Sequence, residues 1–212
     1  MTQKNEIGKA RRRLGVAERR QAILAAASEV FARASYAQAK IADVSERSGA
    51  SQALVFHYFG SKAMLYAAVV EQAIDGLVQA QQREIEALGE GASAGQRVRV
   101  SLAVYLEYIA SHPQSWAAPL RGGAEPGEVI AMRWRAREGY VETLKELLGI
   151  ERFARHHYAV WGYFGFLDGA CLAWVDAGCP RDEVDSLIEA ALGALEGGLG
   201  DYRLSDVAAP TP

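Results

Sequence analysis

Hydrophobic positions recur at helical spacing along most of the 212-residue chain. Residues 17–34 carry apolar side chains at i, i+4, i+7 and i+8, a spacing that predicts a helix with one buried face. The members of this stripe are Ile23, Ala27, Val30 and Phe31. No segment shows the alternation typical of a strand, and no internal repeat is present. The pattern therefore predicts an all-α protein.

Glycine, proline and serine divide the remaining pattern into further helices. A short helix over 40–49 is predicted to end at Gly49, and Ser61 is a suitable N-cap for a long helix over 62–88. Residues 112–127 contain three of the six prolines and are predicted to be irregular or to hold one short helix. The other predicted helices cover 95–111, 127–148, 151–178 and 181–200.

The segment "SQALVFHYFGSK" (51–62) follows the short helix after a tight turn that contains glycine. Two short helices joined in this way are typical of a helix-turn-helix, whose second helix enters the major groove with its N-terminal residues leading. Val55 and Phe59 are spaced to face the other helices of the domain. His57 and Tyr58 are then expected to donate hydrogen bonds to phosphates. The residues expected to face base edges are Ser51, Gln52, Ala53 and Leu54.

Lys62 lies in the first turn of the predicted long helix. A lysine there opposes the helix macrodipole, but together with free backbone N–H groups it forms a suitable phosphate site. The alternative is an ordinary solvated surface lysine, and the basic surroundings favour the phosphate role.

Charge is distributed unevenly along the chain. Residues 1–62 hold eleven Lys and Arg against five Asp and Glu, whereas 63–212 hold twelve against twenty-one. A basic N-terminal part on an acidic remainder suggests a polyanionic partner for the first part alone. Within it, the arm that contains Arg11, Arg12 and Arg13 is either a solvated tail or a segment that reaches along phosphates or into a minor groove.

Several classes of protein are not expected from this sequence. The first residues have charges but no apolar core of a secretory signal, and the longest uncharged apolar run, 158–167, is far shorter than the ~20 residues of a membrane span. We therefore expect a soluble, cytoplasmic protein without a membrane partner. Cys171 and Cys179 do not form a disulfide framework or a zinc motif, so no metal and no cofactor are predicted.

Residues 19–66 resemble the DNA-binding domain of TetR-family transcriptional regulators. The resemblance includes the apolar stripe of the first helix, Tyr36 after it, and "DVSERSGAS" (43–51) where the family usually has D-I-A-x-x-A-G-V-S. The aromatic cluster followed by "FGSK" (59–62) completes it. It implies that positions 52–54 meet bases and that Phe56, His57, Tyr58 and Lys62 meet phosphates.

The chain departs from the family pattern at several of these positions. Phe56 stands where tyrosine is common, so it is expected to pack on the sugar backbone, turn inward, or mark a more weakly binding domain. Lys40 stands where Ser or Thr often caps the second helix, which exchanges a cap for a charge near phosphate. Because Ala53 and Leu54 replace more polar residues, direct base recognition is expected to depend mainly on Gln52.

The resemblance also implies a helical effector-binding and dimerisation domain after the DNA-binding domain. We expect a flexible basic arm over 1–16, the helix-turn-helix domain over 17–62, the helical domain over 63–200, and a flexible tail over 201–212. The expected partners are a near-palindromic double-stranded operator, a small-molecule effector and a second copy of the chain.

Aromatic residues are abundant in the predicted effector domain. Most of them are expected to be core, but tryptophan and tyrosine also carry polar groups that need partners, a combination that suits a lipophilic or aromatic effector. Asp168, alone in an apolar run, is predicted to be a polar anchor in the pocket or an acid paired across the dimer. The remaining predicted effector residues are Tyr105, Tyr108, Trp116, Trp134, Trp161 and Tyr163.

Rows of small residues in the last two predicted helices allow close helix packing. The resemblance implies that these rows form the dimer surface, and the alternative is packing within one subunit. The predicted interface residues are Gly165, Gly169, Ala173, Leu187, Ala190, Ala191 and Ala194.

Two other functions remain open at this stage, and both are less favoured than a ligand-responsive repressor. An all-α enzyme with a basic appendage would need a linked catalytic set, and no motif joins the candidates. These candidates are His112, His156, His157, Asp168 and Cys171. A DNA-binding protein without a sensor would have a solid core in place of a pocket. An enzyme is not expected.

Overall fold

The computed structural model describes residues 15–150 and 154–200, and within these ranges it contains nine α-helices and no strand. The all-α prediction is confirmed. The predicted basic arm, including Arg11, Arg12 and Arg13, and the tail over 201–212 lie outside the described residues. The helices are α1 (Val16–Arg33), α2 (Ile41–Ser48), α3 (Gln52–Phe59), α4 (Lys62–Ala87), α5 (Ala94–Ser111), α6 (Pro113–Leu120), α7 (Gly127–Leu148), α8 (Ala154–Asp176) and α9 (Val184–Leu199).

Helices α1 to α3 form a small three-helix unit, which we call the head. The predicted stripe of α1 is buried, and Val44 of α2 completes that core from the opposite side. Gly49 ends α2 with φ of 64°, a left-handed conformation that glycine adopts without steric cost. Val55 and Phe59 are 1% and 5% exposed, so the predicted inward face of α3 is confirmed.

Helix α4 joins the head to the remaining helices. Ser61 caps it, since its Oγ accepts a hydrogen bond from the Met64 N–H at 3.1 Å, as predicted. The axes of α3 and α4 are bent by 65° at this point. The first turns of α4 bury Leu65, Tyr66 and Val70 in the head core, whereas its later turns pack on α5. A single unbroken helix therefore contacts both parts of the molecule.

Helices α5 to α9 form a second core, which we call the body. Leu106, Ile109, Leu148, Val160 and Leu195 are each at most 2% exposed at its centre. The packing of α8 on α9 is the most extensive between any two helices of the described part. At about 25 cal/mol per Å² of buried apolar surface, such a core is the main stabilising contribution.

The body contains the short helix that was one alternative predicted for 112–127, and it differs from the prediction at some helix boundaries. The proline-rich stretch over 112–127 contains α6, with Pro113 at its first helical position, where no backbone N–H is required. Residues 151–153 lie outside the described part, and α8 is described from Ala154. The last predicted helix begins as a 3-10 turn, Arg181–Glu183, before α9. No single helix in the described ranges is long and apolar enough to cross a membrane.

Candidate DNA-binding face and effector domain

The N-terminus of α3 presents a row of accessible side chains. Ser51 caps the helix, since its Oγ accepts a hydrogen bond from the Leu54 N–H at 3.2 Å. Its own hydroxyl proton is still available to a phosphate. Gln52 and Ala53 are exposed, whereas Leu54 is half-buried against the head core. A base edge can therefore meet the Gln52 amide directly and Leu54 only at its outer surface.

The aromatic residues that follow are divided between core and surface. Phe56 is 41% exposed, so among the three alternatives for this residue the inward orientation is wrong. His57 is exposed and lies edge-on to the half-buried Tyr58, with ring centroids 5.6 Å apart. These three side chains border the accessible row at the N-terminus of α3. The arrangement suits a helix that rests on a backbone of phosphates and sugars.

Lys62 is held by the turn that follows α1. Its Nζ lies 4.7 Å from the centre of the Tyr36 ring and 3.4 Å from the Ala37 carbonyl oxygen, to which it donates. Partial burial lowers the pKa of Lys62 from its usual 10.5. An ammonium has three donors, so two remain for a phosphate while one holds the turn. Lys62 therefore has a structural contact that the sequence did not indicate.

Lys40 occupies the N-cap position of α2 without capping it. Its side chain makes no cap hydrogen bond and is exposed. The loss of the cap, which was expected from the sequence, is therefore confirmed. The contact of Lys40 with phosphate stays a prediction. Removing a Ser or Thr cap typically costs about 1 kcal/mol of helix stability.

The sequence did not single out Arg20. Its guanidinium carbon lies 4.8 Å from the centre of the Phe59 ring, at the C-terminal end of α3. A cation in this position is attracted by the face of the ring. The contact connects the exposed side of α1 to the C-terminal end of α3. Arg20 lies off the apolar stripe, but no local pattern indicates a partner 39 positions away in the chain.

The predicted effector residues lie on α5 to α8 but do not form one continuous wall. Trp116 Nε1 donates to Tyr105 Oη at 2.9 Å, and burial raises the pKa of Tyr105. Tyr108 is half-buried, with its ring 4.9 Å from that of His112. Trp116 and Tyr105 thus satisfy each other's polar groups inside the body, as buried aromatic side chains with polar groups require.

The remaining predicted aromatic residues lie towards α7 and α8. Trp134 is 58% exposed, and its ring centroid is 6.2 Å from that of the half-buried Trp161. Tyr163 is 5% exposed, and burial raises the pKa of its hydroxyl. Trp134 therefore lies on the outer surface, whereas Tyr163 is inside.

Asp168 has a partner in its own chain. Arg137 Nη2 donates to both carboxylate oxygens at 2.9 Å, and the guanidinium carbon lies 5.2 Å from the centre of the Phe164 ring. Each of the two paired side chains is 26% exposed. The sequence required a partner for this acid, and the structure provides it from α7.

A small cavity lies where the head meets the body. It offers about 10 Å³, enough for one water molecule. Its lining comes from Phe31, Tyr36 and Tyr66 on the head side and from Ser115, Pro119 and Glu125 on the body side. The predicted effector residues are not part of this lining.

The predicted dimer residues are divided between outer and inner positions. Gly165, Gly169 and Ala173 are exposed along α8, and Ala190 is exposed on α9. Leu187 and Ala194 are half-buried. The prediction for Ala191 is wrong as a surface contact, because its side chain is 1% exposed and packs in the body core.

Cys171 is the one nucleophile among the candidates for catalysis. Cys171 is fully buried, and desolvation raises the pKa of its thiol to about 12. A buried thiol with a raised pKa is a poor nucleophile. Within the described ranges, no group of three or more His, Cys, Asp or Glu side chains could hold a metal ion.

The head corresponds to a known family of bacterial proteins. Residues 23–69 match the family model described as "Bacterial regulatory proteins, tetR family". These residues include the core of α1, the helix-turn-helix and the first turns of α4. The fold and the accessible face of α3 thus define a helix-turn-helix DNA-binding transcription regulator.

Longer comparisons extend this similarity to the body. The HTH-type transcriptional activator FasR of Mycolicibacterium smegmatis is 28% identical over 194 residues, which cover 89% of this chain and 86% of FasR. A TetR-family regulator from Streptomyces coelicolor superimposes with a TM-score of 0.75 at 25% identity, covering 85% of this chain and 82% of that one. The chain is therefore similar to TetR-family transcriptional regulators over most of its length, and its head matches that family's model.

A third similar structure informs on the fold alone. FadR from Bacillus subtilis, solved in complex with stearoyl-CoA, has a TM-score of 0.60 at 16% identity and covers 86% of this chain and 99% of its own. The arrangement of head and body thus occurs in a relative of low sequence identity.

Proposed function

We propose that the protein is a homodimeric repressor that releases a near-palindromic operator when a small lipophilic or aromatic effector binds in its body. The observation that carries the proposal is the face of α3. Gln52 and Ala53 are exposed at its start, Phe56 and His57 follow at the surface, and the opposite side is sealed in the head core. One head can read one half-site, so two heads related by a two-fold axis are required for a palindrome.

The proposed dimer surface consists of the outer faces of α8 and α9. Gly165, Gly169 and Ala173 leave α8 without large side chains along its outer side, and Ala190 does the same on α9. Phe166 is 37% exposed beside this row and offers apolar surface for burial. Small residues flanked by an exposed aromatic ring suit close approach of a second copy.

The proposed effector contacts lie among the aromatic residues of α5, α7 and α8. Tyr105 and Trp116 already bond each other, so a ligand between them would have to exchange that hydrogen bond for its own. Arg137 of α7 and Asp168 of α8 supply a half-buried charged pair. Since FadR from Bacillus subtilis was solved with stearoyl-CoA, a long-chain acyl-CoA is the first probe to choose.

The sign of regulation depends on where the operator lies relative to the promoter. FasR is described as an activator, whereas repression is what we propose for this chain. The same head could serve either outcome, because the docking of α3 on DNA is the same in both. The proposal thus has three parts that can be tested separately: DNA binding, the response to a ligand, and whether transcription is repressed or activated.

A mobility shift with the DNA upstream of the protein's own gene tests the proposal. The full chain should retard this fragment with nanomolar affinity. Its affinity for this fragment should exceed its affinity for unrelated DNA by roughly 10³-fold or more. Added stearoyl-CoA, or an aromatic compound in a parallel arm, should weaken the complex if it is the effector class. Equal affinity for operator and unrelated DNA would contradict the proposed function.

A further inference from the structure

The turn between α6 and α7, residues 121–126, has a backbone that permits little variation. Gly122 has φ of 79°, which disfavours any side chain there. A Cβ atom at Gly123 would lie 2.5 Å from the Ala118 carbonyl oxygen, closer than van der Waals contact allows. The Gly123 N–H donates to that same oxygen at 2.9 Å. The two glycines therefore fold the turn tightly onto the end of α6 and determine where Glu125 is placed.

Glu125 directs its carboxylate into the junction of head and body. Its side chain is only 5% exposed, which is unusual for an acid. Arg133 of α7 binds it through two hydrogen bonds, Nε to Oε2 at 3.0 Å and Nη2 to Oε1 at 3.1 Å. Tyr66 of α4 donates its hydroxyl to Oε1. A buried carboxylate needs such partners, because without them it would lose its hydration uncompensated.

Tyr66 transfers this contact to the head. Its ring centroid is 4.8 Å from that of Phe31 on α1 and 5.1 Å from that of Tyr36 in the following turn. Tyr36 in turn carries the Lys62 ammonium on its ring. Burial and the hydrogen bond to Glu125 raise the pKa of Tyr66 to about 12, so its hydroxyl keeps its proton at neutral pH.

Helix α7 also enters the head core directly. Val129 is fully buried in the head core, and Met132 packs against that core. The first turn of α7 thus contacts the head by apolar packing, while Arg133, one turn later, is bound to Glu125. A displacement of α7 relative to the head would have to break the Tyr66–Glu125 hydrogen bond, or the Glu125–Arg133 pair if Glu125 stays with Tyr66, and it would also move these apolar contacts.

We propose that Glu125 is a positioning residue for DNA binding, which locks the head to α7 through Tyr66 and Arg133 and sets the orientation in which α3 is presented. This inference rests on the proposed function, since orientation affects DNA only if two heads bind one operator. The lock contains no DNA-contacting group itself. Its loss should therefore leave contact with a single half-site intact and impair the fixed spacing of two heads.

Hydrogen exchange of the DNA-free full chain tests the lock without any operator. Tyr66→Phe removes one hydroxyl and keeps the ring, and Glu125→Gln keeps the shape and removes the charge. Both variants should increase exchange in the 121–133 and 31–40 segments roughly 10-fold, as expected for the loss of a hydrogen bond to a charged group. Glu138→Gln, at an exposed position of α7, is the matched control and should change nothing. Unchanged exchange in both lock variants would overturn the proposal.

DNA binding of the same variants tests the consequence. On a fragment with both half-sites, Tyr66→Phe should bind roughly 10-fold more weakly than wild type, and on a fragment with one half-site equally well. Inserting one base pair between half-sites should penalise the wild type more than the variant. A loss of the same factor on both fragments would overturn the positioning role, because it would place the defect in the head itself.

The two proposals fail in different ways. If the wild type binds no DNA specifically, the proposed function fails, while the exchange experiment still decides whether Glu125 locks head and body. If the wild type binds its operator and the lock variants match it on both fragments, the positioning role fails and the proposed function stands.

Discussion

The ammonium of Lys62 lies 4.7 Å from the centre of the Tyr36 ring. The residue expected to hold a phosphate therefore also holds the turn that ends α1. This contact connects the start of α4 to the first helix of the head, and it gives Lys62 two separable contributions. The first is the electrostatic attraction to phosphate, which is expected only when DNA is bound. The second is the contact with Tyr36, which stabilises the folded head.

Substitution of Lys62 by alanine separates these contributions. Binding should weaken equally on operator and unrelated DNA, and the salt dependence should fall by about one phosphate contact. Thermal unfolding should also show a loss of about 1 kcal/mol, from the cation–π contact and the bond to Ala37. Lys40→Ala is the control, because Lys40 is exposed and caps nothing. It should reduce the salt dependence without loss of stability, and an undiminished salt slope for Lys62→Ala would contradict the phosphate role.

Substitution of Gln52 by alanine should act on specificity. The exposed amide can pair with adenine, and a good bidentate pair contributes about 1–3 kcal/mol of discrimination. We expect operator affinity to fall roughly 10-fold while affinity for unrelated DNA stays constant. Competition mobility shifts against both DNAs measure the ratio. An equal loss on both would show that Gln52 contacts the backbone and does not read a base.

Phe56→Tyr should strengthen DNA binding. The ring is 41% exposed at a position that is predicted to face phosphate, so an added hydroxyl is expected to donate to a phosphate without being buried. A hydrogen bond to a charged group contributes about 1.5–3 kcal/mol, which predicts an affinity gain of roughly 10-fold or more. Phe59→Tyr is the control, since its ring is 5% exposed and a hydroxyl there would destabilise the head. Equal affinity of wild type and Phe56→Tyr would favour packing of Phe56 on the sugar backbone.

The helices of the fold can be predicted from the local sequence pattern, but the contact between head and body at Glu125 cannot. Val55 and Phe59 are predicted correctly because the period of a helix places i and i+4 on one face. Glu125 is 59 positions after Tyr66 and lies in a loop with glycine and proline, where an acid is usually solvated. Only the pair of glycines before it indicates a constrained backbone, and no local pattern indicates which side chain that backbone buries.

The small residues of α9 show the same limit. Ala190 and Ala191 are adjacent and chemically identical, yet the first is exposed and the second is 1% exposed. A row of small residues predicts close packing but does not state against which partner. Which face of α9 meets α8 depends on helix rotation, which long-range packing determines. The exposed and buried sides of α3 were more predictable, because the residues that decide them lie within one short helix.

The two cysteines should differ in reactivity. Cys171 is fully buried with a thiol pKa of about 12, whereas Cys179 is half-buried and burial raises its pKa as well. Iodoacetamide at pH 8 should modify at most one thiol per native chain, slowly, and both after denaturation. Cys179→Ser should abolish the native labelling. Rapid native modification of Cys171, measured by peptide mass, would indicate that the body opens at this position.

Removal of the Asp168 charge should destabilise the body. Asp168→Asn leaves the Arg137 guanidinium half-buried without its counter-charge, and we expect a loss of about 1–3 kcal/mol in the free energy of unfolding. Glu107→Gln is the control, because the pair of Glu107 with Arg181 is largely exposed and should contribute less than about 1 kcal/mol. Urea unfolding at pH 7 measures both. If Asp168→Asn is as stable as the control, the ion pair is compensated by solvent, and Arg137 is then free to exchange Asp168 for an anionic ligand at little cost. In that case, titration with stearoyl-CoA should stabilise the wild type and should stabilise Arg137→Met less.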